Sequence, residues 1–222
     1  MLALNLERIL RRIERARLAY SPHQIISLVA VSKYQSTEQI RALYECGQRA
    51  FGENKVQDLR AKIESLDDLP LEWHFIGNLQ ENKINTLLSL NPTLLHSLDS
   101  IKLALALQKR LGEQKIRALL QVNAANEESK SGVSVESAKE IYEHICATCP
   151  NIKLEGIMSI GAHSDDRALI ERSFRLTRDV FDSLKGSGAK ILSMGMSGDF
   201  EIAIAYGANL VRIGSKLFEE AK

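Results

Sequence analysis

The chain has 222 residues, 45% hydrophobic and 26% charged, a mix that supports a sizeable core in an ordinary globular protein. Its formal net charge of +1 supplies no bulk field for nucleic acid or a membrane surface. No apolar run approaches the roughly 18–20 residues that span a bilayer.

The first element predicted is a helix over residues 2–20. Leu6, Ile9, Leu10, Ile13, Ala16 and Tyr20 recur at helical spacing, and arginines fill the other face. The pattern fits a helix docked on its own domain better than one lying on a membrane. Its charges rule out the apolar stretch of a secretory signal, and Glu7 and Glu14 argue against a transit peptide. Ser21-Pro22 stops it.

Short apolar runs then alternate with amphipathic segments. Strands are expected at 26–32, 50–52, 72–76, 94–97, 117–122, 154–160, 190–194 and 210–213. Helices are expected at 36–46, 54–65, 81–90, 100–112, 134–148, 165–185 and 198–206, with a short one at 215–221. Strict alternation implies a parallel sheet with helices outside. Eight units in a chain of this length predict an α/β fold, a single (β/α)8 TIM-type barrel with an additional N-terminal helix; a doubly wound open sheet ranks second. No Pro/Gly/Ser-rich linker interrupts the chain, so residues 1–222 read as one domain. Cys46, Cys146 and Cys149 cannot pair completely, which fits a reducing cytoplasm. Cys146-Ala-Thr-Cys149 stands alone at a helix end and reads as incidental thiols rather than a metal or redox pair.

Barrel chemistry gathers at the C-terminal ends of the strands. The residues there are Lys33, Gly52-Glu53-Asn54, Gly77-Asn78, Asp99, Asn123, Ser159, Met196-Ser197-Gly198 and Gly214-Ser215. They include no Asp/His cluster suited to a catalytic metal. Lys33 ends the apolar run Leu28-Val29-Ala30-Val31-Ser32. A lysine there can condense with an aldehyde if burial, or a cation such as Arg212, makes its amine easier to deprotonate. The plain alternative is a surface lysine. Ser197-Gly198 and Gly214-Ser215 follow the seventh and eighth strands, where barrels of this type hold phosphate; ordinary turns also use Gly and Ser. An aldehyde and a phosphate on one small molecule point to pyridoxal 5′-phosphate (PLP). His74, within Trp73-His74-Phe75-Ile76, reads as a satisfied core histidine. Lys130 reads as a solvated loop lysine, with a second amine for PLP as the sharper alternative.

The segments V-A-V-S-K, F-G-E-N, W-H-F-I-G-x-L-Q-x-N-K, S-K-S-G, L-S-M-G-M-S and V-R-I-G-S strongly resemble the YggS/PROSC family of pyridoxal phosphate homeostasis proteins, related to the N-terminal barrel of bacterial alanine racemase. The resemblance runs from about Ile26 to Phe218. It implies an internal aldimine (Schiff base) between PLP, the active form of vitamin B6, and Lys33. It implies phosphate binding by Ser197, Gly214 and Ser215, an Arg212 that faces the pyridine nitrogen, and Asn54 and His74 lining the barrel top or its supporting layer. Three positions depart from the family pattern: Ser215 stands where threonine is usual, Asn78 where proline is usual, and Tyr34-Gln35-Ser36 where many members have threonine, a basic residue and proline.

The resemblance further implies a protein that holds and buffers PLP, and delivers it transiently to PLP-dependent apo-enzymes, rather than an enzyme. A guanidinium beside the ring nitrogen weakens the electron sink. The racemases of this barrel type use a second base from a separate C-terminal domain, for which no residues remain past the last strand. The expectation is a cytoplasmic monomer without catalytic residues, nucleic-acid partner or membrane partner. The alternative is a PLP-dependent amino-acid racemase or another slow amino-acid enzyme, and the third reading is a PLP-free phosphate-binding barrel such as a sugar-phosphate enzyme.

Overall fold

The computed structural model describes residues 1–127 and 131–219. The reading placed on Lys130 lies outside them. Eight parallel strands close into a barrel in chain order: β1 (Ser27–Val31), β2 (Ala50–Glu53), β3 (Glu72–Phe75), β4 (Leu94–Leu98), β5 (Ile116–Val122), β6 (Ile152–Ser159), β7 (Ile191–Ser193) and β8 (Leu210–Ile213). The helices are α1 (Leu2–Tyr20), α2 (Thr37–Glu45), α3 (Val56–Ser65), α4 (Ile84–Ser89), α5 (Ile101–Leu111), α6 (Ala138–Thr148), α7 (Arg167–Ser183), α8 (Phe200–Ala205) and α9 (Ser215–Phe218). The expected barrel and its N-terminal helix are both present.

Strand alternation sorts the side chains into two populations. Leu28 and Ala30, Trp73 and Phe75, Leu192, and Val211 and Ile213 face outward into the apolar layer shared with the helices. Val29, Leu94, Leu119, Met158 and Leu210 turn inward and form a small plug inside the barrel. The alternate inward positions then fall to His74, His96, Ser193 and Arg212, all buried. The interior is therefore apolar in one part and polar in another, and the polar part includes Arg212.

Helix α1 docks on the barrel's helical layer, as its spacing predicts. Leu6, Ile9 and Ile13 are buried at i, i+3 and i+7, each worth about 1.5–3 kcal/mol when fully removed from water. Arg12 pairs with Glu201 of α8 at 2.6 Å and lies 4.9 Å above the Phe200 ring. The Asn5 amide donates to Leu217 O and Glu219 O, tying α1 to α9.

Most differences from the expected boundaries are small. The largest is at α6, which starts at Ala138 rather than 134. Ser134 Oγ accepts from Ser137 N–H at 3.2 Å, and such side-chain bonds compete with the first helical turn. The predicted helix at 81–90 enters through a 3-10 turn at Glu81–Lys83. That at 165–185 ends at Ser183, before a second 3-10 turn at Lys185–Ser187. All three cysteines are free: Cys46 and Cys146 are exposed and Cys149 is buried. Among the described residues no helix is long and apolar enough to cross a membrane, and no group of three His, Cys, Asp or Glu side chains is placed to hold a metal.

Candidate cofactor site at the barrel mouth

Closure of β8 onto β1 brings the two ends of the sequence together. Val29 pairs with Arg212 and Ala30 with Ile213, so the chain leaves both strands at adjacent points on the rim. Gly214 follows β8 there. A Cβ at this position would lie 3.2 Å from Val31 O and 3.3 Å from Val31 Cβ. Glycine lets the loop after β8 press against the end of β1, two residues before Lys33. Gly214 N–H donates to Ser197 Oγ at 3.2 Å, which joins this loop to the one after β7. Ser215 opens α9 and is exposed.

The loop after β7 turns at Gly195, whose φ is +93°. A Cβ there would meet Ala203 Cβ at 2.6 Å and Phe200 Cα at 2.8 Å, so only glycine fits beneath α8. Asp199 Oδ1 accepts from Met196 N–H at 2.6 Å and closes the same turn. Beside it a cleft of about 490 Å³ is lined by residues including Ile160, His163, Met196, Gly198 and Asp199. A larger groove, about 680 Å³, runs along α1 between Ala3 and Glu14 and contains none of the strand-end residues.

Lys33 does not sit as expected. Burial ends at Ser32, which is 0% exposed, while Lys33 itself is exposed. The strand supplies an apolar floor, and the turn between β1 and α2 carries the chain off it. Lys33 Nζ makes no ion pair among the described residues. It lies 5.9 Å from the Tyr34 ring centroid, and Lys55 Nζ lies at the same distance. Lys33 thus lacks the burial expected for it, and Arg212 bonds Ser193 and Ser159 inside the barrel instead.

Arg212 lies within the barrel rather than on its rim. It is 4% exposed. Its Nη1 donates to Ser193 Oγ at 2.7 Å and its Nη2 to Ser159 O at 2.9 Å. Both acceptors are neutral, and no carboxylate pairs with it among the described residues. Burial lowers its pKa to about 10, an effect that the Asp199 charge partly offsets. A buried cation without an anion is costly.

The Arg212 contact continues as a hydrogen-bonded chain across the interior. Arginine only donates, so Ser193 Oγ accepts from it. Ser193 Oγ is also bonded to His96 Nδ1 at 3.3 Å, and His96 Nε2 is bonded to His74 Nδ1 at 2.8 Å. Both rings are neutral near pH 7. Burial, and then the charge of Arg117, lowers His74 to about 4; burial, then His74 and Arg212, holds His96 well below its usual value. His74 Nε2 is left buried without a partner. His74 is thus a core histidine as expected, but a half-satisfied one. Sequence reading missed His96 and Ser193; period two along Leu94-Leu95-His96 was the signal for the first.

Asn54 follows β2 at the mouth, and its Oδ1 is buried without a partner. Asn78, at the corresponding place after β3, donates to Ser131 Oγ at 2.9 Å, so the usual proline is replaced by a side chain that ties two loops. The site residues read from sequence thus fall into three groups: Lys33 with Gly214, Ser215 and Ser197 on the β1/β8/β7 rim, Asn54 next to it after β2, and Arg212 beneath.

Comparison with known proteins now decides the lineage. The family described as "Alanine racemase, N-terminal domain" matches residues 4–221. The chain belongs to that family. Within it, the chain is similar to the pyridoxal phosphate homeostasis protein of Helicobacter pylori, 61% identical over 218 residues, with 97% of each chain covered. It is also similar to PipY of Synechococcus elongatus, solved with PLP bound: 31% identity, TM-score 0.83, 99% of this chain and 100% of that one. An alanine racemase from Corynebacterium glutamicum shares the fold at 16% identity and TM-score 0.76, with 99% of this chain matching 60% of the racemase.

Proposed function

We propose that this alanine racemase N-terminal domain family member binds PLP at its barrel mouth, attached through Lys33, and serves PLP homeostasis by holding and buffering the cofactor. The observation that carries this reading is Arg212, a buried cation with only neutral acceptors, lying beneath a rim that brings Lys33 together with Ser197, Gly214 and Ser215. The residues fit the cofactor. Among the described residues, Asn54 Oδ1 is a buried acceptor without a donor and Arg212 has no partner of opposite charge, and the glycine and serines of the β7 and β8 loops converge near the strand that presents Lys33. The 61% identity to a pyridoxal phosphate homeostasis protein supports the same reading.

When bound, PLP supplies an aldehyde that condenses with an amine, and a ring that can accept electrons. Lys33 presents that amine from the end of β1. Ser197 and Ser215 supply hydroxyl donors for the phosphate, and the backbone of Gly214 lies close enough to shape the cradle. Arg212 would meet the ring nitrogen and, being cationic, would oppose a proton there. Opposing that proton weakens the electron sink, so the arrangement favours retention of the cofactor over turnover of amino acids. The rest of the proposal follows: one barrel domain with α1 packed on it, a monomer in the cytoplasm, passing PLP to apo-enzymes without a lasting complex.

The test separates phosphate from aldehyde. Each hydrogen bond to a charged group contributes about 1.5–3 kcal/mol. A Ser197→Ala/Ser215→Ala double variant should therefore bind PLP at least about tenfold more weakly while binding pyridoxal nearly as the wild type does. Equal weakening of both ligands would remove these serines from the phosphate site. Saturable racemisation of an amino acid by the unmodified protein would replace the homeostasis reading with the racemase.

A further inference from the structure

A buried ion pair lies behind Lys33 and takes no part in the roles above. Glu53 ends β2 with its side chain wholly buried, and Lys62 of α3 reaches it with a side chain 11% exposed; Nζ and Oε1 are 2.6 Å apart. Ser32, the residue before Lys33, commits every polar group it has to this corner. Its N–H donates to Gly52 O at 3.0 Å. Its hydroxyl donates to Glu53 Oε1 at 2.6 Å. Its carbonyl accepts from Lys62 Nζ at 2.7 Å and from Gln35 N–H at 2.9 Å.

The last of these bonds closes a four-residue turn, Ser32–Gln35, whose third residue is Tyr34 at φ 68°. A positive φ at that position suits glycine and is unfavourable for a bulky side chain. The Tyr34 ring is 77% exposed, so packing does not hold it there. Something else must keep the turn shut. Buried ion pairs contribute little net stability compared with apolar replacements, so global stability is a poor account of this one. Its geometry is directed at Ser32.

We propose that Lys62 and Glu53 are positioning residues for Lys33. They clamp Ser32, keep the Ser32–Gln35 turn closed against the unfavourable backbone of Tyr34, and so fix where the Lys33 amine leaves the strand. The proposal rests on the reading of Lys33 as the attachment point.

The test uses the full chain with Lys62→Met and Glu53→Gln together, which removes the clamp without stranding a buried charge. Amide hydrogen exchange at Gln35 is measured without cofactor, and PLP affinity and borohydride-fixed label on Lys33 are measured with it. A bulky residue at positive φ disfavours the turn by about tenfold or more. Both Gln35 exchange and PLP dissociation should therefore rise by about that factor. Adding Tyr34→Gly should restore both, because glycine takes positive φ without steric cost; a residue pair that merely supported the fold would not be rescued this way. Exchange and affinity within about twofold of wild type in the double variant, or no rescue by glycine, would overturn the proposal. If the double variant fails to fold, Tyr34→Gly alone decides: slower Gln35 exchange supports the strained turn, and unchanged exchange overturns it. Wild-type protein that fixes no PLP on Lys33 would sink the attachment reading, while the cofactor-free exchange would still judge the clamp.

Discussion

Two cations are buried among the described residues, Lys62 on α3 and Arg212 inside the barrel, and they are treated differently. Lys62 has a carboxylate at 2.6 Å and a carbonyl at 2.7 Å. Arg212 has a hydroxyl and a carbonyl, and no carboxylate among the described residues. The first is neutralised within the fold and belongs to the architecture behind the rim. The second has only neutral acceptors inside the barrel, and the Asp199 charge offsets its burial in part. The contrast separates a cation that the chain pairs with a carboxylate from one that the proposed cofactor would meet.

Breaking each cation in turn gives the largest contrast. Lys62→Met strands the Glu53 carboxylate in the interior and should cost about 3–5 kcal/mol of unfolding free energy. Arg212→Met removes a buried charge without a paired carboxylate together with two hydrogen bonds. In cofactor-free protein these effects offset, and the change should be about 1 kcal/mol or less. Denaturant titration of both variants checks this. Losses of similar size would mean that Arg212 is compensated within the fold after all.

The histidine chain beneath Arg212 sharpens the comparison through pH. His74 titrates at about 4 in the folded chain against 6.5 for the free side chain. On acidification the unfolded chain takes up the proton first, so stability is lost as pH falls from 6.5 towards 4. The shift corresponds to about 3 kcal/mol for His74, and His96 moves in the same direction. Unfolding free energy measured across this window should fall steeply in the wild type and less steeply in His74→Gln. Identical slopes would place the titration elsewhere.

The barrel was legible because its physics is repetitive. Apolar runs at regular spacing gave all eight strands, and Leu6, Ile9 and Ile13 gave the docked face of α1. The rim was legible for a similar reason: glycine and serine after β7 and β8 mark loops that approach closely, and Gly214 does press against Val31. What the sequence hid is the direction and depth of individual polar side chains. Lys33 follows an apolar strand yet is exposed, because the turn at Ser32–Gln35 carries it out of the core. Arg212 reads as a strand residue, and only the register, which places it opposite Val29, shows that its side chain is buried inside the barrel. Glu53 and Lys62 stand nine residues apart on a strand and the next helix, and no local pattern announces that they meet. His96 and Ser193 stand next to His74 and Arg212 on neighbouring strands, but only the closed barrel brings the two pairs together through the Ser193–His96 bond.

The smallest structural perturbation tests the central claim most directly. Wild-type protein and Lys33→Ala are each loaded with PLP, reduced with borohydride, and mapped by peptide mass. The account predicts one added cofactor on the wild-type peptide that contains Lys33, and no such label in Lys33→Ala, whose thermal unfolding should match the wild type within the small change expected at an exposed position. A wild-type label found instead on Lys55 or another lysine, with Lys33 unmodified, would contradict it.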